Sequence, residues 1–121
     1  MDTRATGSRW ERIAESFLNR RGLKTLERNY QCRFGEIDLV LLDGATLVFA
    51  EVRYRARDSH GSGADSVTWT KRRRIVRTAA RYLQAHCTHR DRNCRFDVVS
   101  IGQRLGRPEV RWIRSAFLAD Q

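Results

Sequence analysis

Lysine is nearly missing from a chain that is otherwise strongly basic. Of 24 basic side chains in 121 residues, only Lys24 and Lys71 are lysine; the rest are arginine. Proline is scarcer still, at a single Pro108, and with only eight glycines the composition argues against extended disorder. No run of about 18 apolar residues occurs, so a transmembrane helix is excluded and no membrane partner is expected. The opening MDTRATGSRWER has no apolar segment of the signal-peptide kind, which makes the cytoplasm the expected location. Three cysteines are an odd number without framework spacing, so Cys32, Cys87 and Cys94 are expected to be free thiols. His86, Cys87, His89 and Cys94 crowd together, but their spacing fits none of the usual paired-ligand patterns for zinc.

What the chain has in excess is positive charge, a net +10. A genome bias could favour arginine over lysine, and charge alone could serve solubility. Neither explains why basic residues outnumber the 14 acidic ones. Guanidinium groups grip phosphate through paired hydrogen bonds and stack on bases, so the expected partner is nucleic acid. The length suits one domain with a single sizeable core, spanning 1–121, with 1–7 expected as a flexible amino terminus.

Ser8 stands three residues before Glu11, a capping-box signature. Trp10, Ile13, Ala14, Phe17 and Leu18 then recur at helical spacing until Gly22, predicting a helix over 9–21 with Glu15 at the edge of its apolar stripe. A charged strand is expected at KTLERNYQCRF, then two apolar strands folded at Asp43-Gly44. A polar, glycine-bearing loop (RARDSHGSGADSV) leads to a second helix, with Ile75, Val76, Ala79 and Leu83 inward and Arg72, Arg73, Arg74, Arg77 and Arg81 around the rest. CRFDVVSIG and PEVRWIRSAF complete the order α-β-β-β-α-β-β. This is an α/β protein with one mixed sheet of about five strands flanked by helices. The helical crossover predicts a fourth strand parallel to the third.

The apolar hairpin contains an anomaly. Glu36, Asp38, Glu51 and Arg53 interrupt strands that should carry only Val, Ile or Leu, and a buried carboxylate without a partner is costly. A two-residue turn at Asp43-Gly44 makes opposed residue numbers sum to 87, setting Asp38 against Phe49 and Glu36 against Glu51. All four charged residues then share one face. Asp38 and Glu51 become diagonal neighbours roughly 7–8 Å apart, within reach of one divalent ion. Oxygen-only ligands suit Mg²⁺ or Mn²⁺. The competing reading is an arginine–carboxylate cluster that only fixes the hairpin register.

GEID followed by EVR resembles the PD-(D/E)xK nuclease core. An ordered set across nearly the whole chain is more specific: Ala14-Glu15, GEIDLV, VFAEVRYR, SVTWTKRRRI and RFDVVSI resemble the YraN family of uncharacterised bacterial proteins, similar to archaeal Holliday junction resolvases. The resemblance implies a restriction-endonuclease-like fold and Mg²⁺-dependent phosphodiester hydrolysis in nucleic acid, DNA rather than RNA, including branched DNA, with a homodimer as one arrangement suited to symmetric junctions. It implies Asp38 and Glu51 as metal ligands, with Glu15 as a third acid or an ordinary helix charge, and Glu36 no closer than an outer shell. Arg53 stands where the family pattern expects lysine. Arginine keeps its proton, so it can stabilise charge but cannot act as a base. Lys71 either contacts phosphate at the second helix start, stands in for the missing lysine, or is a solvated first-turn charge. Arg72, Arg73, Arg74, Arg77 and Arg81 are the expected phosphate contacts, and Asp97 is expected to pair with an arginine or the backbone. A nucleic-acid-binding module on a lapsed nuclease scaffold is the alternative, and a protein-interaction platform a third.

Overall fold

The computed structural model describes residues 3–55 and 67–120, with side chains described from residue 9; the expected polar loop lies mostly outside them. The elements run α1 (Thr3–Arg20), β1 (Lys24–Cys32), β2 (Gly35–Asp43), β3 (Thr46–Tyr54), α2 (Trp69–Ala85), a 3₁₀ turn (Cys87–His89), β4 (Cys94–Arg104) and β5 (Arg107–Phe117). The sheet keeps chain order, β1-β2-β3-β4-β5, antiparallel throughout except where the α2 crossover makes β4 parallel to β3. The α/β class and element order expected from the sequence are those observed.

Alternation along the strands sorts the side chains into two cores. Leu39, Leu41, Val48, Ala50, Val99 and Ile101 meet Ala14 and Leu18 of α1, with Trp10, Ile13 and Phe17 packed at the margin. Val40, Leu47, Phe49, Phe96 and Val98 meet Ile75, Ala79 and Tyr82 of α2. Each fully buried Leu, Val or Phe contributes about 1.5–3 kcal/mol. The inward face of α2 is turned relative to expectation: Ile75, Thr78, Ala79 and Tyr82 are buried, while Val76 and Leu83 only flank the core. Tyr82 takes the central place because its ring packs edge-on against Phe49 and Tyr30 and stacks on His86.

Two local expectations are corrected. α1 starts at Thr3, so Ser8 is a helical residue rather than its cap; no proline stands upstream to stop the helix. It ends as expected at Gly22, whose φ of 93° suits glycine, with Gly22 donating to the Asn19 carbonyl and Leu23 to that of Leu18. The β2–β3 turn is Gly44-Ala45 rather than Asp43-Gly44, because Asp43 pairs with Thr46. Gly44, at φ 61°, occupies the first central position, as a type II′ turn requires. Opposed numbers therefore sum to 89 rather than 87, through Leu42↔Leu47 to Leu39↔Ala50. The slip is two residues, so the paired stretches 39–43 and 46–50 keep their faces, while Ile37, beyond the last rung, packs with Val40 in the α2 core.

Candidate active site

The β2–β3 ladder stops at Leu39↔Ala50, although both strands continue. Beyond that rung β2 pairs only with β1, and β3 only with β4. The sheet forks. At the fork the Asp38 carboxylate accepts the Val52 N–H at 2.7 Å, taking a bond that a strand neighbour would otherwise receive. Carrying the register one step further sets Asp38 across from Glu51, correcting the diagonal arrangement and the pairings Asp38–Phe49 and Glu36–Glu51. The two carboxyls line one cavity, and the Glu51 charge raises the Asp38 carboxyl.

Acids from three elements meet here. Carboxylate oxygens of Glu11, Glu36 and Asp38 lie within 4.8 Å of one another, the one trio of candidate metal ligands so placed among the described residues. Glu36, Asp38 and Glu51 also line a cavity of about 510 Å³ roofed by Thr68, Thr70, Lys71, Arg74 and Ile75 around the start of α2. Burial, and then the Glu51 charge, push the Asp38 carboxyl up to about 9, partly offset by the Val52 N–H. Glu11 is raised as well, first by burial and then, against an Asn29 hydrogen bond, by Glu36 and Glu51. Asp38 therefore keeps its proton at neutral pH unless a cation is added. A divalent ion among oxygen donors would supply that charge, so the donor set fits Mg²⁺ or Mn²⁺.

The cations already present balance only part of the cluster. Lys71 Nζ reaches Glu51 Oε1 at 2.7 Å, while the nearest guanidinium nitrogen of Arg53 stands 3.9 Å from the same oxygen. The sequence-motif position thus makes the looser contact, and a lysine from α2 makes the tighter one. Thr68 caps α2, its side chain accepting from Lys71 N, which fixes the helix start over the cavity.

Glu15 is placed differently from expectation. Arg28 of β1 binds it through two nitrogens, at 2.8 Å each, which holds its carboxyl below the usual range. Glu11, one turn earlier, supplies the acid from α1 instead. Sequence reasoning spent Glu11 on a capping box; its spacing of four from Glu15 was the available signal that both face the sheet.

Of the expected phosphate contacts, Lys71 and Arg74 line the cavity. Arg73 lies over the exposed Trp69 ring at 4.8 Å, and Arg77 is exposed. Arg72 is turned aside, donating to the Val67 carbonyl at 3.0 Å and resting over Phe117 at 5.5 Å. Asp97, buried, accepts from Arg95, Trp112 and the Ser115 N–H, as the arginine-and-backbone expectation required. All three cysteines are free, and the His86 and His89 rings are engaged by the Tyr82 carbonyl and Arg92. No helix among the described residues is long and apolar enough to cross a membrane.

Residues 10–101 match the Uncharacterised protein family UPF0102. A UPF0102 protein of Nitrosospira multiformis is 46% identical over 97% of this chain and 96% of its own length. One from Nitrosomonas europaea is 48% identical over 92% of each chain, and one from Stutzerimonas stutzeri 42% over 96% of this chain and 97% of its own. The match takes in both helices, the forked hairpin and Lys71, and the chain belongs to the UPF0102 family.

Proposed function

We propose that the protein is a metal-dependent nuclease that hydrolyses phosphodiester bonds in DNA, including branched or otherwise structured DNA, at the fork between β2 and β3. The observation that carries this reading is the gathering of Glu36, Asp38 and Glu51 at an open cavity, with Glu11 beside Glu36 and Asp38 and too little positive charge among the lining residues to balance them. A cluster serving only the hairpin register would be closed by arginine, and this one is open. Asp38 and Glu51, joined by Glu11 and Glu36, would hold Mg²⁺ or Mn²⁺. When bound, the ion supplies an acidified water and neutralises charge on the phosphate.

The chain's own residues do the rest. The Val52 N–H orients the Asp38 carboxylate and fixes which oxygen faces the cavity. Lys71 takes the role that the family pattern gives to the lysine at position 53: its amine is the one amine in the cavity lining, and an amine can give up a proton where a guanidinium cannot. Arg53, 27% exposed beside Glu51, remains a fixed positive charge toward a phosphate. Arg74 and the amides at the start of α2 add to the attraction for the anion. Arginine at position 53 favours a second reading, binding without hydrolysis; Lys71 at 2.7 Å from Glu51 supports the hydrolytic one.

The test is a cleavage panel of linear, nicked, flapped and four-way DNA with Mg²⁺ and with Mn²⁺. Wild type is run beside Asp38→Ala and Glu51→Ala, which exclude a contaminating nuclease. Metal-dependent cleavage lost in both variants supports the reading. No cleavage of any substrate, with salt-sensitive binding retained, replaces it with the binding module.

A further inference from the structure

A second recess lies beside the carboxylate cavity, along the same flank of α2. Cys32, Arg33, Phe34, Arg81 and Gln84 line its roughly 690 Å³. That volume lies within the range of ligand pockets. No carboxylate is among its lining residues. Lys71, Arg74, Thr78 and Arg81 follow one another at intervals of three or four, so the two recesses share one helical flank about 15 Å long. The β1–β2 turn forms their common border. Arg33 and Phe34 face the second recess, and Gly35, at φ 150°, lines the first. A Cβ at Gly35 would lie 3.4 Å from Thr78 Oγ1 and 3.7 Å from Arg74 Cβ, so the turn is seated directly on α2.

The chemistry of the lining is that of a nucleotide strand. Arg33 and Arg81 come from separate elements and present two guanidiniums to a shared space. Arg33 lies over the Phe34 ring at 4.8 Å, so the ring backs the guanidinium and the two form one cationic stacking platform whose outer plane would meet a base. Arg81 donates weakly to Gln84 Oε1, at 3.5 Å, leaving both side chains polar toward the recess. Guanidiniums take phosphate oxygens, an aromatic ring takes the face of a base, and an amide takes a base edge. A paired base keeps its faces inside the stack and cannot lie on this platform.

We infer that the recess lined by Arg33, Phe34 and Arg81 is a binding site for an unpaired stretch of DNA flanking the phosphate held at Asp38 and Glu51. This deepens the nuclease reading by naming the substrate class: DNA whose strand is single or splayed on one side of the scissile bond. Only the position of the scissile bond rests on that reading; binding of the strand does not.

The experiment separates the two. Fluorescence anisotropy in EDTA compares a fluorescein-labelled oligothymidylate with a duplex of equal length. Phe34→Ala is expected to weaken the single strand about tenfold and to leave the duplex nearly unchanged, with Phe34→Trp restoring binding. Arg33→Ala and Arg81→Ala are each expected to weaken the single strand about fivefold and to lower its salt slope by about 0.7. Arg107→Ala, at the far β4–β5 turn, removes equal charge as a control, and circular dichroism verifies folding of each variant. Equal losses for single strand and duplex, equal losses from Arg107→Ala, or no effect of Phe34→Ala would overturn the assignment. Hydrolysis of bis(p-nitrophenyl) phosphate with Mn²⁺, a diester too small to need the recess, reads the carboxylate cavity alone. Its absence with strand binding intact would remove the nuclease and leave this site standing.

Discussion

Two aspartates in one sheet, Asp38 half-buried and Asp97 buried, have opposite fates. Asp38 and Asp97 each replace a missing ladder bond by accepting a main-chain N–H from the neighbouring strand: Val52 at 2.7 Å for Asp38, Ser115 at 3.0 Å for Asp97. Asp97 sits where the β4–β5 register shifts, between Phe96 and Val98, and Asp38 where the β2–β3 ladder ends. Beyond that common bond they diverge. Asp97 is closed in by Arg95, which also holds Asp43, and by the Trp112 indole N–H. Asp38 meets further acids, Glu51 at a cavity open to solvent and Glu11 of α1 beside it. Burial of a carboxylate is therefore no sign of chemistry by itself. The sign of its neighbours, and the opening beside it, distinguish an acid satisfied by the fold from the one proposed to hold a metal ion.

The comparison breaks most sharply by substitution. Asp38→Asn is expected to lower Mn²⁺-dependent cleavage by about 10²–10³-fold or more with the fold intact. Asp97→Asn is expected to leave cleavage per folded molecule unchanged and to destabilise the protein by about 3–5 kcal/mol in urea titration, because Arg95 loses its buried partner. If both variants lost activity in proportion to stability, the distinction would collapse.

Lys71 sharpens the chemical side. Lys71→Ala should cost about 10²-fold in turnover, and Arg53→Lys in that background should recover part of it by returning an amine to the motif position. Recovery by Lys71→Arg instead would mean that only the charge matters.

The pH dependence of stability should also differ. Asp38 has its folded value raised to about 9 from an ordinary carboxylate value. The folded state then holds a proton that the unfolded chain releases. Its contribution is complete below the unfolded value and is lost as pH rises toward the folded one. Metal-free wild type should weaken across that window, and Asp38→Asn, which never ionises, should be more stable by on the order of 2 kcal/mol near pH 8. Added Mn²⁺ should raise the melting temperature of wild type and not of Asp38→Asn. The smallest contrast lies within α1. Glu11→Gln should weaken Mn²⁺ binding about tenfold by calorimetry, whereas Glu15→Gln, whose Arg28 partner is 63% exposed, should cost under about 1 kcal/mol and leave metal affinity alone.

Much of this was legible before any coordinates. Alternating strands, the helical stripe of α1 and the crossover to a parallel β4 follow from periodicity and chain connectivity. The charged face of the hairpin was legible because its parity survives a two-residue slip. The turn itself was misplaced because Asp-Gly is a strong local signal, whereas the register puts Gly44 and Ala45 at the bend. Glu15 was chosen over Glu11 because nothing in a linear pattern reveals that Arg28 will reach across from β1. The fork between β2 and β3 was invisible for the same reason: it depends on a side chain taking a main-chain bond.

That bond has a consequence for how the proposed activity could be lost. Asp38 acts as the wedge that keeps two strands from zipping together past Leu39 and Ala50. Valine at position 38 would release the Val52 amide to an ordinary rung, lengthen the hairpin and remove a carboxyl set among other acids, each a gain in stability. The silenced protein would be the sturdier one, so the acid at 38 persists only where something other than folding selects it.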